Sequence, residues 1–209
     1  MSRIIFAVIA IFMVTIVYAN QRAITDTGEE VILNSDGTWV FTNESKLGEE
    51  VIKTNKSDFK KPASSTFLLK STKNNSAFWI NANTWTFKKA TDTAAAEYDL
   101  QLKNNDLFGL VITEAISVPV ESLTKIALTN AKDVAPDMEV LEKEYRYVNG
   151  LKVIYMEMAG TLQGMKITYL GYYYSNESGA TQFLIYTGTN LVDKYKEEIT
   201  DFLNGLDVQ

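Results

Sequence analysis

Cysteine and histidine are both absent from these 209 residues. Without thiols there is no disulfide, no cysteine nucleophile and no thiolate metal site. Without imidazole there is no Ser-His-Asp relay, no histidine ligand, and no side chain whose ordinary pKa lies near neutrality. Catalysis, if any, would fall to carboxylates, lysines, tyrosines or hydroxyls. Proline occurs only at Pro62, Pro119 and Pro136, which excludes a Pro-rich stalk. Cations are outnumbered, 20 Lys and Arg against 26 Asp and Glu, for a net charge of −6. That balance argues against nonspecific binding to nucleic acid or anionic lipid. Long apolar runs are also scarce. The longest, Ile4 to Ala19, has 16 residues, short of the roughly 20 that a membrane-crossing helix needs.

That run has the layout of a secretory signal peptide over residues 1–19, with an uncleaved membrane anchor as the alternative reading. Arg3 supplies the positive end, IIFAVIAIFMVTIV the apolar core, and Val17-Tyr18-Ala19 the small residues before a cut at Asn20. No cysteine follows for a lipid anchor, so no stable membrane insertion is expected after cleavage. Export without disulfides is a bacterial habit, and the expected location is periplasmic or secreted.

What remains has ordinary globular composition, 46% hydrophobic and 22% charged. Residues 20–42 read as a small β-hairpin unit: RAIT, a Thr27-Gly28 turn, EVILN, a Ser35-Asp36-Gly37 turn, then TWVFT. The stretch NSDGTW lacks the alternating acidic ligands of a calcium loop. Residues 43–63 read as a linker, with charges at nine of the twenty positions from Asn43 to Pro62 and no periodicity.

The main domain is expected over 64–209. Its clearest part is a four-strand antiparallel meander between Met138 and Thr187, punctuated by Asn149-Gly150, Gln163-Gly164 and the loop Asn176 to Gly179. Strands 165–175 and 180–187 are apolar on both faces, which predicts a sheet covered on both sides. Strand 138–148 places Glu142, Glu144 and Arg146 on one face, as an edge would. Earlier strand signals are TFLLK, AFWIN, AAAEYDLQL and LFGLVITEA. Helical spacing predicts one helix over Val120 to Lys132, between Pro119 and Pro136, and another from Leu191 to Leu203 ending near Gly205. The fold class expected is α+β, an antiparallel sheet with a four-strand meander flanked by two helices.

Two resemblances arise from these residues. Gly28, Val31, Leu33, Asn34, Asp36, Gly37, Thr38 and Trp39, with Phe41 after them, resemble a DGTW hairpin motif seen near the start of many exported bacterial proteins. It implies no activity. The order strands, helix, meander, helix over about 64–207, with FWINANTW near the start, VNGLKV at Val148–Val153 and FLNGL at the finish, resembles the PsbP-like fold family of small exported proteins. Ala82 stands where that family carries Pro before the Trp. The resemblance implies an α/β/α sandwich and a noncatalytic binding, assembly or chaperone-like role, with no active site to carry over.

Three functional readings follow. The leading one is an exported noncatalytic binding or assembly protein whose partner is another exported or envelope protein. Trp39, Phe41, Tyr169 and Tyr172 are its candidate ligand or partner contacts. The second is a carrier of a small apolar or aromatic ligand, in a pocket of Tyr169, Tyr172, Tyr173 and Phe183. The third, a hydrolase using paired carboxylates, rests on Glu97 with Asp99 or Glu142 with Glu144, each pair about 6.5–7 Å apart along a strand. Glu97 and Asp99 alternate with apolar positions and are expected to face solvent with ordinary pKa values. No catalytic, cofactor-binding or metal-ligating residue is assigned.

Overall fold

Runs of β-branched and aromatic residues between 139 and 188 carry the largest part of the structure. The computed structural model describes residues 21–25, 30–34, 37–41, 51–91 and 95–209. The expected signal peptide and the Thr27-Gly28 turn lie outside these residues. The chain divides into two units, Met1–Lys46 and Leu47–Gln209.

In the first unit, β1 (Gln21–Ile24), β2 (Glu30–Leu33) and β3 (Trp39–Phe41) form an antiparallel sheet in that order. It is therefore three-stranded rather than a hairpin. Gly37 has φ +83°, a conformation that costs glycine little. Asn34 clamps the DGTW turn: its N–H donates to Thr38 O at 2.8 Å, its Nδ2 to Thr38 Oγ1 at 2.9 Å, and its O accepts from Gly37 N–H at 3.1 Å. The motif's Asn34, Gly37 and Thr38 are turn-forming residues.

In the second unit the elements are β4 (Lys53–Phe59), β5 (Phe67–Lys70), β6 (Ser76–Ile80), β7 (Trp85–Lys89), β8 (Tyr98–Leu102), β9 (Leu107–Glu114), α1 (Val120–Val134), β10 (Glu139–Val148), β11 (Leu151–Leu162), β12 (Met165–Asn176), β13 (Gly179–Gly188), α2 (Lys196–Leu203) and β14 (Leu206–Val208). Two short 3-10 turns, Thr189–Leu191 and Asp193–Tyr195, lead into α2. One mixed sheet has the order β4-β10-β11-β12-β13-β9-β8-β7, and a second antiparallel sheet has the order β14-β6-β5.

This architecture corrects the expected fold class. The protein is mostly β, and β10 to β13 are the middle of an eight-stranded sheet rather than a four-strand meander between two helices. The small sheet and α2 together cover one face, packing Phe78, Leu206, Phe202 and Leu203 on Leu100, Val111, Tyr172 and Phe183. Helix α1 covers the other, with Leu123 and Ala127 on Ile154, Met156, Tyr173 and Leu184. β14 is three residues long, too short to leave a periodic signal. α2 keeps only eight residues of the expected 191–203 helix.

Of the expected linker, residues 43–50 lie outside the described residues, and part of the remainder is a strand. Residues 53–59 are β4, paired parallel with β10. An edge strand needs no apolar face, and KTNKSDF has none to read beyond Phe59, which packs against the core. Because β4 flanks it, β10 is not an edge. Its pairing with β11 shifts register between Val140 and Glu142, a bulge of the kind that bends a strand.

The two central hairpins turn as the Asn-Gly and Gln-Gly pairs predict, with φ +51° and +87° at Asn149 and Gly150, and +51° and +83° at Gln163 and Gly164. Asn149 does more than turn the chain. Its N–H donates to Phe59 O at 2.9 Å, and its Oδ1 accepts from Lys61 N–H at 2.8 Å. Its Nδ2 donates to Asn204 O and Leu206 O, both at 2.8 Å. One side chain thus ties the end of β4 and the start of β14 to the main hairpin.

Replacing Asn149 with Gly keeps the positive φ and removes those three side-chain bonds. At roughly 0.5–1.5 kcal/mol per bond, Asn149→Gly is expected to cost about 2–4 kcal/mol. Urea unfolding checks this as a lower midpoint at unchanged slope. An unchanged midpoint would mean the bonds contribute nothing to holding β4 and β14.

Candidate functional site

The first carboxylate pair is split by the structure. β8 opens irregularly: Tyr98 is the register partner of Val111, yet Glu97 N–H also donates to Val111 O at 2.7 Å. Two residues address one partner, and the Glu97 side chain turns inward, only 8% exposed. There it accepts bonds from Ser71 Oγ at 2.8 Å, Thr72 N–H at 2.7 Å, Thr72 Oγ1 at 2.8 Å and Thr113 Oγ1. Burial alone would push its pKa up, but the bonds from Thr113, Thr72 and Ser71 outweigh that and hold it below the ordinary value. The expectation of a solvent-facing Glu97 is corrected. Asp99 instead pairs with Lys88 at 3.8 Å. Glu97 is an anchor fastening the turn after β5 to β8 and β9.

The second pair belongs to a charged and aromatic cluster. Glu144 Oε1 accepts from Asn55 Nδ2 at 2.9 Å and from Arg146 Nε at 2.6 Å. The Arg146 guanidinium lies 3.5 Å from the Tyr155 ring centroid, 4.7 Å from Phe59 and 5.9 Å from Tyr172. Burial pulls its pKa down, and Tyr172, Glu144 and Tyr155 more than reverse that. Arg146 stays charged and sits flat on the aromatic layer. Burial, with the neighbouring Glu157 charge, pushes the Tyr155 phenol far above its ordinary range. Glu142 is exposed, on the rim of a cleft.

Two clefts flank α2. The smaller, about 330 Å³, is bounded by Glu142, Arg146, Tyr155 and Glu157 from the sheet, and Lys196 and Thr200 from the helix. The larger, about 660 Å³, has Trp85 and Phe202 in its floor, Asn83 and Lys103 on one wall, and Glu197 and Asp201 on the other. Lys103 Nζ donates to Ala82 O at 2.9 Å and Asn83 O at 2.7 Å, so its charge shapes that loop. Across from it, burial and then the charges of Glu197 and Glu198 raise the Asp201 pKa. These are like-charge pairs at i,i+4 and i,i+3 on the helix. No group of three or more acidic side chains among the described residues has metal-holding geometry.

Within the second unit, the candidate contacts Tyr169 and Tyr172 do not come together. Trp39 is 51% exposed beside its register partner Leu33. Phe41 is in β3, and its side chain lies outside the described residues. Tyr169 and Tyr172 point to opposite faces. Tyr172 is 1% exposed and its hydroxyl donates to Asn204 Oδ1 at 3.0 Å. Tyr169 packs against Tyr186, whose ring stacks on Phe108, each pair with centroids 5.3 Å apart. The expected aromatic pocket is corrected for the same reason. Tyr172 and Phe183 belong to the α2 side, Tyr169 and Tyr173 to the α1 side. Tyr173 is fully buried, and its hydroxyl has no hydrogen-bond partner among the described residues. Sequence reading missed the clefts because their residues come from separate strands, turns and α2; its one available signal was the acidic run Glu197, Glu198, Asp201 on α2.

No family profile matches the chain, and no curated protein is similar to it. Among solved structures it is similar to cyanobacterial PsbP (CyanoP) from Synechocystis sp. PCC 6803, with TM-score 0.55 and 14% identity, over 71% of this chain and 95% of that one. A Pseudomonas aeruginosa protein of unknown function matches with TM-score 0.41 and 9% identity, over 63% and 89%. A Bacteroides thetaiotaomicron protein matches with TM-score 0.39 and 8% identity, over 65% and 45%. The first establishes a PsbP-like fold for this chain.

Two titratable groups give stability predictions of opposite sign. Glu97 has a folded pKa below its ordinary 4.5. Its contribution is full above the unfolded pKa and is lost as pH falls through the folded one. Glu97→Gln is therefore expected to be less stable at pH 7 and to show a flatter acid limb in stability against pH. Equal acid limbs in the two proteins would refute the anchor role. Asp201 has a folded pKa above its ordinary 3.8, so its ionised form costs stability at pH values above that pKa. Asp201→Asn is expected to gain about 0.4–1 kcal/mol at pH 7, from two like-charge helix pairs. That gain should vanish in acid, as thermal melts at two pH values would show.

Proposed function

We propose that this chain is an exported, noncatalytic binding module that assembles with, or assists, another protein of the cell envelope. The observation that carries the reading is the pair of open clefts on either side of α2, set in a fold of the PsbP kind. Their walls mix amides, carboxylates, a lysine and an arginine over an aromatic floor, a lining suited to recognising a polar surface. The best candidates for acid/base chemistry weigh on the same side. Glu97 is held ionised by four donors, and Glu144 is engaged by Arg146 and Asn55.

Export rests on the signal-peptide pattern of residues 1–19. No helix among the described residues is long and apolar enough to cross a membrane. The DGTW sheet of the first unit, with Trp39 half-exposed, offers a second contact surface for the same partner.

Photo-crosslinking in an exporting host tests the reading. A crosslinking residue is placed at Asn83, on the larger cleft, or at Lys196, on the smaller. The expected outcome is an adduct with one envelope protein from at least one position, in protein whose mature chain begins at Asn20. Protein retained in the cytoplasm with Met1 intact, or export with no adduct at either position, would overturn it.

A further inference from the structure

The eight-stranded sheet ends in two edges that are finished differently. At β4 the pairing with β10 shifts register between Tyr145 and Tyr147, and Lys53, Lys56 and Asp58 line the strand. Broken register and mixed charge are the usual protections of an edge. β7 is regular instead, pairing residue for residue with β8 from Trp85↔Leu102 to Lys89↔Tyr98.

The hydrogen bonds bracketing that ladder tell which backbone groups face outward. Lys103 N–H donates to Thr84 O at 2.9 Å, and Ala90 N–H donates to Glu97 O at 3.0 Å. Bonded residues alternate in an antiparallel pair, so Thr86 and Lys88 are bonded to β8. Trp85, Phe87 and Lys89 turn their N–H and C=O groups the other way. The Trp85 N–H is taken by Asn81 O at 2.9 Å. Among the described residues that leaves, along the edge, the N–H groups of Phe87 and Lys89 and the C=O groups of Trp85, Phe87 and Lys89. Among the described residues no strand pairs with β7 there.

The side chains beside these groups supply an anchor and a sign. Phe87 is 40% exposed and packs on Phe67 of β5, itself 41% exposed, with ring centroids 5.1 Å apart. The two rings form an apolar step between the two sheets. Lys70 at the end of β5, and Lys88 and Lys89 on the two faces of β7, are exposed. Asp99 offsets Lys88 in part, at 3.8 Å, with the lysine side chain still 64% exposed. The chain as a whole carries −6, so this is a local reversal of charge.

We propose that β7 is a strand-addition site for an acidic extended segment of another protein. Such a segment would complete the bonds of Phe87 and Lys89, set an apolar side chain on the Phe67–Phe87 step, and place carboxylates against Lys70, Lys88 and Lys89. The lysines select the occupant: a second copy of β7 would bring like charges together, whereas an acidic strand gains from them. The site begins beside the larger cleft, whose floor includes Trp85 at the start of β7. It goes beyond the cleft reading, because recognition runs through the backbone.

The test is amide NMR of the isotope-labelled protein with an acetylated, amidated seven-residue peptide alternating Glu and Val, and a matched Lys and Val peptide. The Glu peptide should shift the Phe87 and Lys89 amides saturably and slow their hydrogen exchange about tenfold. It should bind at least about tenfold tighter than the Lys peptide, with affinity falling as salt rises. K88E/K89E should reverse the preference. Lys89→Pro should abolish binding while keeping the β8 ladder, because the lost N–H faces outward. Shifts confined to Asn83 and Lys103 would overturn the edge site and leave the cleft reading standing. Equal binding of both peptides, no shift at millimolar peptide, or concentration-dependent dimerisation through β7 would overturn it as well.

Discussion

Four aromatic rings in contact hold the layers of the main unit together. Phe78 of the small sheet meets Phe183 of the central strand at 4.8 Å, Phe183 meets Phe202 of α2 at 4.4 Å, and Phe202 meets Trp85 of the edge strand at 4.3 Å. Each contact adds about 0.5–1.5 kcal/mol beyond the area buried. The chain makes room for them: a Cβ at Gly109 would lie 2.8 Å from the Phe202 ring. Because Phe202 fixes α2 over the middle of the sheet, space is left on both sides of the helix. The two clefts follow from where that one ring is seated.

Carboxylates behave differently in the frame and at the clefts. In the frame they are satisfied. Glu97 has its hydroxyl and amide donors, and Glu121 accepts a bond from the Tyr145 hydroxyl. Burial raises the Glu121 pKa, but the bond from Tyr145 and the charges of Lys152 and Lys143 bring it below the ordinary value. At the larger cleft, Glu197, Glu198 and Asp201 crowd like charges onto one short helix. Glu197 and Glu198 lie in the first turn of α2, where the helix dipole favours acids, and Asp201 carries the repulsion.

Much of the secondary structure is legible because its cause is local. Asn149-Gly150 and Gln163-Gly164 need positive φ at both turn residues, and these pairs supply it. Val120 to Ala131 repeats at helical spacing between two prolines, and α1 is there. β4 left no trace, because KTNKSDF lies on an exposed edge where alternation is not required. Glu97 misled, because strict alternation assigns it to solvent and a single two-on-one contact with Val111 turns it inward. The aromatic pocket failed for a related reason. Tyr169, Tyr172, Tyr173 and Phe183 are close in sequence and register, but a sheet separates its two faces completely.

The candidate site was less legible than the fold. Asn83, Lys103, Arg146 and Asp201 come from four separate elements, and no spacing along the chain relates them.

By itself the sequence determined what chemistry is unavailable, since no fold can restore an absent thiol or imidazole. It determined the turns and α1, whose geometry depends on neighbours a few residues away. It also determined that β12 and β13 must be covered on both faces, because both faces are apolar. The tertiary structure alone decided what covers them: a second sheet closed by three terminal residues, an eight-residue helix, and α1. It alone decided which carboxylate is buried, which aromatics meet, and which edge of the sheet stays open. Those outcomes depend on pairings between residues from 16 to more than 100 positions apart, such as Glu97 to Thr113 and Asn74 to Thr181, and local periodicity carries no record of them.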